Sequence, residues 1–178
     1  MLSKIMRSEP TNTITIRVPK ALKEKLEKKI KENQVTLNLL INQILTKNLN
    51  WDEYLRTMGW LQFNPLTVKE IFKSLDEKKM TEITKAITSE IIDAIKFIYG
   101  DLSLNSVIDF IDTWHHSANI PFRRIENGDS HQYMITHKLG KNWSMFESKT
   151  IERFLGEMGF KVTISQIRTD SCSFSILK

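Results

Sequence analysis

Polar and apolar residues alternate along Thr13-Ile14-Thr15-Ile16-Arg17-Val18, and Pro19 closes the run. A period of two predicts a short strand with Ile14, Ile16 and Val18 on one face and Thr13, Thr15 and Arg17 on the other. Nothing next to it in sequence can pair with it, so its backbone groups need a partner. The simplest partner is the same strand of a second copy, antiparallel about a two-fold axis. A ribbon of two such strands fits the DNA major groove, where arginine takes guanine in a bidentate grip and threonine meets base edges.

After Pro19 the period becomes helical. Lys20 to Glu32 spaces Leu22, Leu26 and Ile30 four apart, giving one apolar stripe on an otherwise charged helix. Asn33-Gln34-Val35 interrupts the pattern, and Thr36 is suited to cap a second helix carrying Leu37, Leu40, Ile41, Ile44, Leu45 and Leu49. That spread is wider than one stripe, as expected of a helix packing on its neighbour and on a partner chain.

Residues 11 to 49 resemble the ribbon-helix-helix DNA-binding family of the Arc, MetJ and CopG type. The resemblance rests on Ile14-Thr15-Ile16-Arg17-Val18-Pro19, the helix lengths, and the entry Val35-Thr36-Leu37-Asn38 to the second helix. It implies a dimeric β-α-α module, with Thr13, Thr15 and Arg17 as the base-reading row. It also implies a phosphate held by the backbone from Thr36 to Asn38. Gln34 departs from the pattern, since glycine commonly sits near that turn; Asn33 is expected to take the left-handed conformation instead.

Charge changes the picture further. Residues 1 to 50 hold ten Lys/Arg against four Asp/Glu, a net of +6, whereas residues 51 to 178 hold sixteen against seventeen, a net of −1. The basic excess of the whole chain, formally +5, therefore lies in the N-terminal segment, as a phosphate-binding module joined to a neutral domain requires. Lys20 and Lys23, closest to the ribbon, are candidate contacts to the DNA backbone. Lys4 and Arg7, on an arm too short and polar to be a signal peptide, are candidates for the flanking backbone. The remaining lysines of the first helix read as a solvated face.

The expected organisation is a ribbon-helix-helix domain over residues 1–50 and an α+β domain over residues 51–178, the latter with helices followed by a ββαββ antiparallel sheet. Asn50 with Glu53, and Thr67 with Glu70, have capping-box spacing. Met80 to Tyr99 is helical in period and ends at Gly100, and Ser103 caps a further helix. From Ile120 the period returns to two. Asn127-Gly128 predicts a tight hairpin that sets Arg124 opposite His131 and Phe122 opposite Tyr133. A helix capped by Asn142 follows, then a second hairpin pairing Ile164 with Phe174 and Val162 with Ile176. The string His137 to Ser144 is similar to segments of archaeal proteins that also begin with a ribbon-helix-helix module.

Chemistry in the second domain is sparse. His131 and His137 share a strand face but stand six residues apart, roughly 20 Å, too far for one ion. His115 and His116 are adjacent on a helix and point about 100° apart. With Cys172 the single cysteine and no His-x-His or Cys-x-x-Cys spacing, neither a metal site nor a cofactor is expected. No phosphate loop, nucleophile elbow or zinc-protease motif is present, so an enzyme is not expected either. Arg124, His131 and Tyr133 form the candidate pocket for a small anionic effector, against the plainer reading of a polar pair at a sheet margin. One cysteine suits a reducing cytoplasm, and no apolar run approaches the roughly 20 residues of a membrane span.

The leading expectation is a homodimeric, sequence-specific transcriptional regulator bound to double-stranded DNA. Its second domain would sense a small molecule or control assembly above the dimer. The alternative is an antitoxin of a toxin–antitoxin pair that regulates its own promoter. Toxin-binding segments are often disordered until bound, whereas residues 51–178 carry four tryptophans and regular caps.

Overall fold

The computed structural model describes residues 11–128 and 130–177. The chain divides into two compact units, with the junction between Asn48 and Leu49.

In the N-terminal unit, α1 (Lys20–Asn33) and α2 (Leu37–Lys47) are preceded by nine residues, Thr11 to Pro19, that form no regular element. This corrects the expected fold class. Among the described residues the first regular element is a helix, no strand precedes it, and the β-α-α order of a ribbon-helix-helix module is absent. The reason is the one that made the strand unusual in sequence. Strands exist through ladder hydrogen bonds, and a single chain supplies no second strand here. Ile14 and Ile16 accordingly stand 78% and 59% exposed.

Around them the local signals act as their chemistry dictates. The Pro19 carbonyl accepts from the amides of Leu22 and Lys23 at 3.0 and 3.1 Å, opening α1. Gln34, at φ 53°, ends it; the left-handed residue is therefore Gln34 and not Asn33, and both Gln34 and Val35 donate to the Ile30 carbonyl. The Thr36 hydroxyl accepts from the Leu39 amide at 3.2 Å and starts α2. Leu40 is the one residue of this unit that is fully buried among those described.

The second unit opens in a π-helical turn, Asn48–Asp52, that straddles the junction and runs into α3 (Glu53–Thr57). Backbone that stays helical through Asn50 leaves no helix start for an Asn50–Glu53 box to cap. The next helix, α4 (Pro65–Lys73), is capped by Asn64, whose side chain accepts from Leu66 N at 2.8 Å, with Pro65 in the first turn. Thr67 consequently lies inside it. Asp76 caps α5 (Glu77–Tyr99), accepting from Lys79 N at 2.7 Å, and Gly100 at φ 80° ends it. Ser103 caps α6 (Leu104–Ser117).

Four strands follow: β1 (Phe122–Asn127), β2 (Ser130–Thr136), β3 (Lys161–Ile167) and β4 (Ser171–Leu177). They form one antiparallel sheet in the order β1-β2-β4-β3, with α7 (Lys141–Glu157) between β2 and β3 in sequence. β3 pairs Val162 with Ile176 and Ile164 with Phe174, as the apolar rows predict. The first hairpin differs. Asn127 pairs with Ser130, so Arg124 stands opposite Tyr133, Phe122 opposite Ile135, and His131 opposite Glu126. Asn127 is the last strand residue and Gly128, at φ 59°, opens the turn. A register displaced by two keeps every side chain on its predicted face and changes only its cross-strand neighbour.

The inward face, His131, Tyr133, Ile135, Cys172, Phe174 and Ile176, is buried. It shares a core with Ile95 of α5, Phe110 and Ile111 of α6, and Ile151, Phe154 and Leu155 of α7. Trp51 joins the same core, 1% exposed, edge-on to Trp60. Aromatic and branched side chains buried to this degree stabilise by about 1.5–3 kcal/mol each, so this unit has its own hydrophobic support. Asn142 does not cap α7, which follows Gly140; its amide instead donates to the carbonyls of Phe72 and Leu75, both at 2.9 Å, and ties the end of α4 to α7.

Candidate nucleic-acid interface and buried polar clusters

The residues assigned to DNA gather on the N-terminal unit. Thr13, Thr15, Arg17, Lys20 and Lys23 are all exposed, as are Thr36 and Asn38 at the start of α2. Lys4 and Arg7 lie outside the described residues. Lys23 sits 3.6 Å from Glu27 one turn along, an exposed pair that holds the lysine only weakly and leaves it available to a phosphate. The Thr36 hydroxyl is engaged as a cap, so what the α2 entry offers an anion is backbone N–H: the first-turn amides have no acceptor within the helix. Beside these cations stand exposed apolar side chains: Ile14, Ile16, Leu22, Leu37, Ile44 and Leu45.

In the second unit, the expected effector pocket takes a different form. Arg124 Nη2 lies 3.1 Å from Asp112 Oδ2, and the Tyr133 hydroxyl donates to Asp112 Oδ1 at 2.9 Å. One carboxylate on α6 thus engages both a guanidinium on β1 and a phenol on β2. The arginine's charge is matched from within the protein, which removes much of its pull on an external anion. Burial, reinforced by Asp112, pushes the Tyr133 phenol far above its ordinary range, so it remains a donor. His131 is buried on the same face with Nδ1 lacking a partner among the described residues. Asp112 was missed in the sequence. Its signal was a carboxylate one residue after Ile111, on a helix whose inward face is mainly apolar.

Two histidines build further buried clusters. His115 Nδ1 donates to the Ile111 carbonyl at 2.7 Å, while Nε2 meets Glu147 Oε1 at 2.8 Å, with both side chains 1% exposed. Cys172 Sγ donates to the other oxygen of Glu147 at 3.5 Å. Burial, with the adjacent Glu147 adding to it, drives the Cys172 thiol well above its usual value, so it stays protonated and is not poised as a nucleophile.

His137 is placed differently. Its Nδ1 accepts from the Leu139 amide at 3.2 Å, so the proton sits on Nε2 and is donated to Ser144 Oγ at 2.9 Å. Ser144 in turn donates to the Thr169 carbonyl at 3.4 Å. A histidine that donates to a serine does not take its proton, and the pair ties α7 to the ends of β2 and β3 rather than activating a hydroxyl. His116 is exposed, apart from its neighbour. Among the described residues, no group of three His, Cys, Asp or Glu side chains is placed to hold a metal ion, and no helix is long and apolar enough to cross a membrane.

No protein-family model matches this chain, and no curated protein matches it.

Proposed function

We propose that the chain is a sequence-specific, double-stranded-DNA-binding transcriptional regulator that acts as a homodimer, the reading implied by the resemblance of residues 11 to 49. Thr13, Thr15 and Arg17 of the two copies read bases in the major groove. Lys20, Lys23 and the backbone of Thr36 to Asn38 hold phosphates, with Lys4 and Arg7 on the flanks. A protein working on DNA in this way resides in the cytoplasm, with Cys172 reduced.

One observation carries the proposal: the N-terminal unit leaves a large set of its apolar side chains exposed, with only one fully buried among those described, while concentrating the chain's positive charge. With Leu40 alone fully buried, and Ile14, Ile16, Leu22, Leu37, Ile44 and Leu45 exposed, the described unit has too little core to stand by itself. A second copy brings an identical apolar set, and a two-fold contact buries both at once. Packing those rows together leaves the net +6 of residues 1–50 for a polyanion. The antitoxin alternative gains nothing from the second unit, whose continuous core from Trp51 to Ile176 is not that of a segment awaiting a partner.

The full chain and its Ile16→Lys variant, compared by sedimentation and by fluorescence anisotropy on DNA duplexes, test the reading. The wild-type protein is expected to sediment as a dimer and to bind with an affinity that falls as salt rises. The variant, with a charge in the apolar row, should lose both dimer and binding while its second unit stays folded. A wild-type chain that is monomeric and indifferent to DNA would defeat the proposal.

A further inference from the structure

We propose that the second unit binds a small organic ammonium cation in a cavity bounded by α5, α6, α7 and Trp60. The cavity measures about 200 Å³ and is lined by Trp60, Ile87, Glu90, Ile91, Phe110, Trp114, Phe146 and Thr150. Its aromatic wall is built by the fold. Phe110 is fully buried on α6, Trp114 follows one turn later with ring centres 6.4 Å apart, and Trp60 meets Phe110 edge-on, also at 6.4 Å. Trp60 is held in place from the other side by Trp51 and by its own amide, which donates to the Leu55 carbonyl at 3.0 Å.

Size and charge select the occupant. An apolar cavity of about 150 Å³ accepts a benzene-sized molecule, so this one suits a compact ligand of slightly larger bulk. The faces of tryptophan and phenylalanine carry negative potential and attract cations, most strongly when water is excluded. Glu90 is the one charged residue of the lining; it is exposed, and among the described residues it forms no ion pair with a basic side chain. An unneutralised carboxylate at the margin of an aromatic cavity favours an alkylated ammonium group over either a neutral hydrophobe or an anion. Thr150, on the inner wall, is fully buried, with its hydroxyl 3.5 Å from that of Thr84. This is a different place and a different chemistry from the Arg124–Tyr133 cluster, whose cation is already engaged by Asp112. It does not depend on DNA binding.

Choline and its uncharged isostere 3,3-dimethyl-1-butanol, which match in shape, separate charge from size. Titrated into the full-length protein without DNA and followed by the indole N–H signals in NMR, choline should saturate and move the signals of Trp60 and Trp114. It should bind at least tenfold more tightly than the alcohol. Glu90→Gln, an exposed change that spares the core, should bring the two affinities together, and Trp114→Leu should weaken choline most. Equal or tighter binding of the alcohol by the wild-type protein would overturn the assignment, as would a choline response that does not saturate or that Glu90→Gln leaves unaltered.

Discussion

Glu147 is buried and faces two neighbours, His115 on α6 and Cys172 on β4, so one carboxylate joins a helix and the central part of the sheet to α7. Removing a single member of such a cluster leaves buried polar atoms unsatisfied, which is why these side chains act as specifiers of one packing and not as surface decoration. His137 shows the same economy with a measurable consequence. Burial lowers its pKa below the ordinary imidazole value, outweighing the pull of Glu147 and Asp170 in the other direction. A depressed folded-state pKa means that the unfolded chain takes up a proton more readily. The contribution is therefore fully present above about pH 6.5 and is lost as pH falls through the lower folded value. Urea midpoints measured between pH 7.5 and 5 should decline on the acid side in the wild-type protein. The decline should flatten in His137→Gln; an unchanged slope would remove His137 from that role. At this scale the sequence was legible as to face and opaque as to partner. Alternation placed His131 and His137 on one strand face, and the structure buries both, with Tyr133 and Ile135 between them. That Tyr133 would donate to Asp112 depends on how α6 lies across the sheet, which no local pattern encodes.

Helix ends and the second hairpin follow from short-range chemistry, and most can be read directly: Thr36 and Ser103 cap as expected, and Gly100 stops α5. Where several residues suit a cap, tertiary packing decides. Asn64 outcompetes Thr67 because Pro65 fixes the first helical position after it. Asn142 leaves the cap of α7 and serves the end of α4 instead, giving a further donor to the carbonyls of Phe72 and Leu75. Asn142→Ala should therefore speed amide hydrogen exchange in α4 and cost about 1–3 kcal/mol of local stability, while β2 and β4 keep their protection. Equal acceleration throughout the unit would mean that the contact supports the whole core and not α4. The N-terminal segment is the opposite case. Thr13 to Val18 has the alternation of a strand and none of its structure, because alternation describes what a partner can use and supplies no ladder by itself.

For the whole molecule, the contrast between the units is the informative quantity. One is strongly basic, with Leu40 its single fully buried side chain among those described; the other is nearly neutral and has an extended core of its own. Charge asymmetry was plain in the sequence, whereas the lack of a strand before the first helix among the described residues and the cavity beside Trp60 were not, since both depend on long-range packing. Selection of duplexes from a random DNA pool by the full-length protein tests the central claim most directly, with Arg17→Ala and Lys23→Ala selected in parallel. A homodimer that reads bases should enrich a two-fold-symmetric motif. Arg17→Ala should lose one base preference per half-site, at a cost of about 1–3 kcal/mol on the selected sequence. Lys23→Ala should keep the motif and bind all duplexes less well, with the salt dependence reduced by about one counterion. A wild-type pool that returns unenriched, or a motif that survives Arg17→Ala intact, would contradict base reading by this segment.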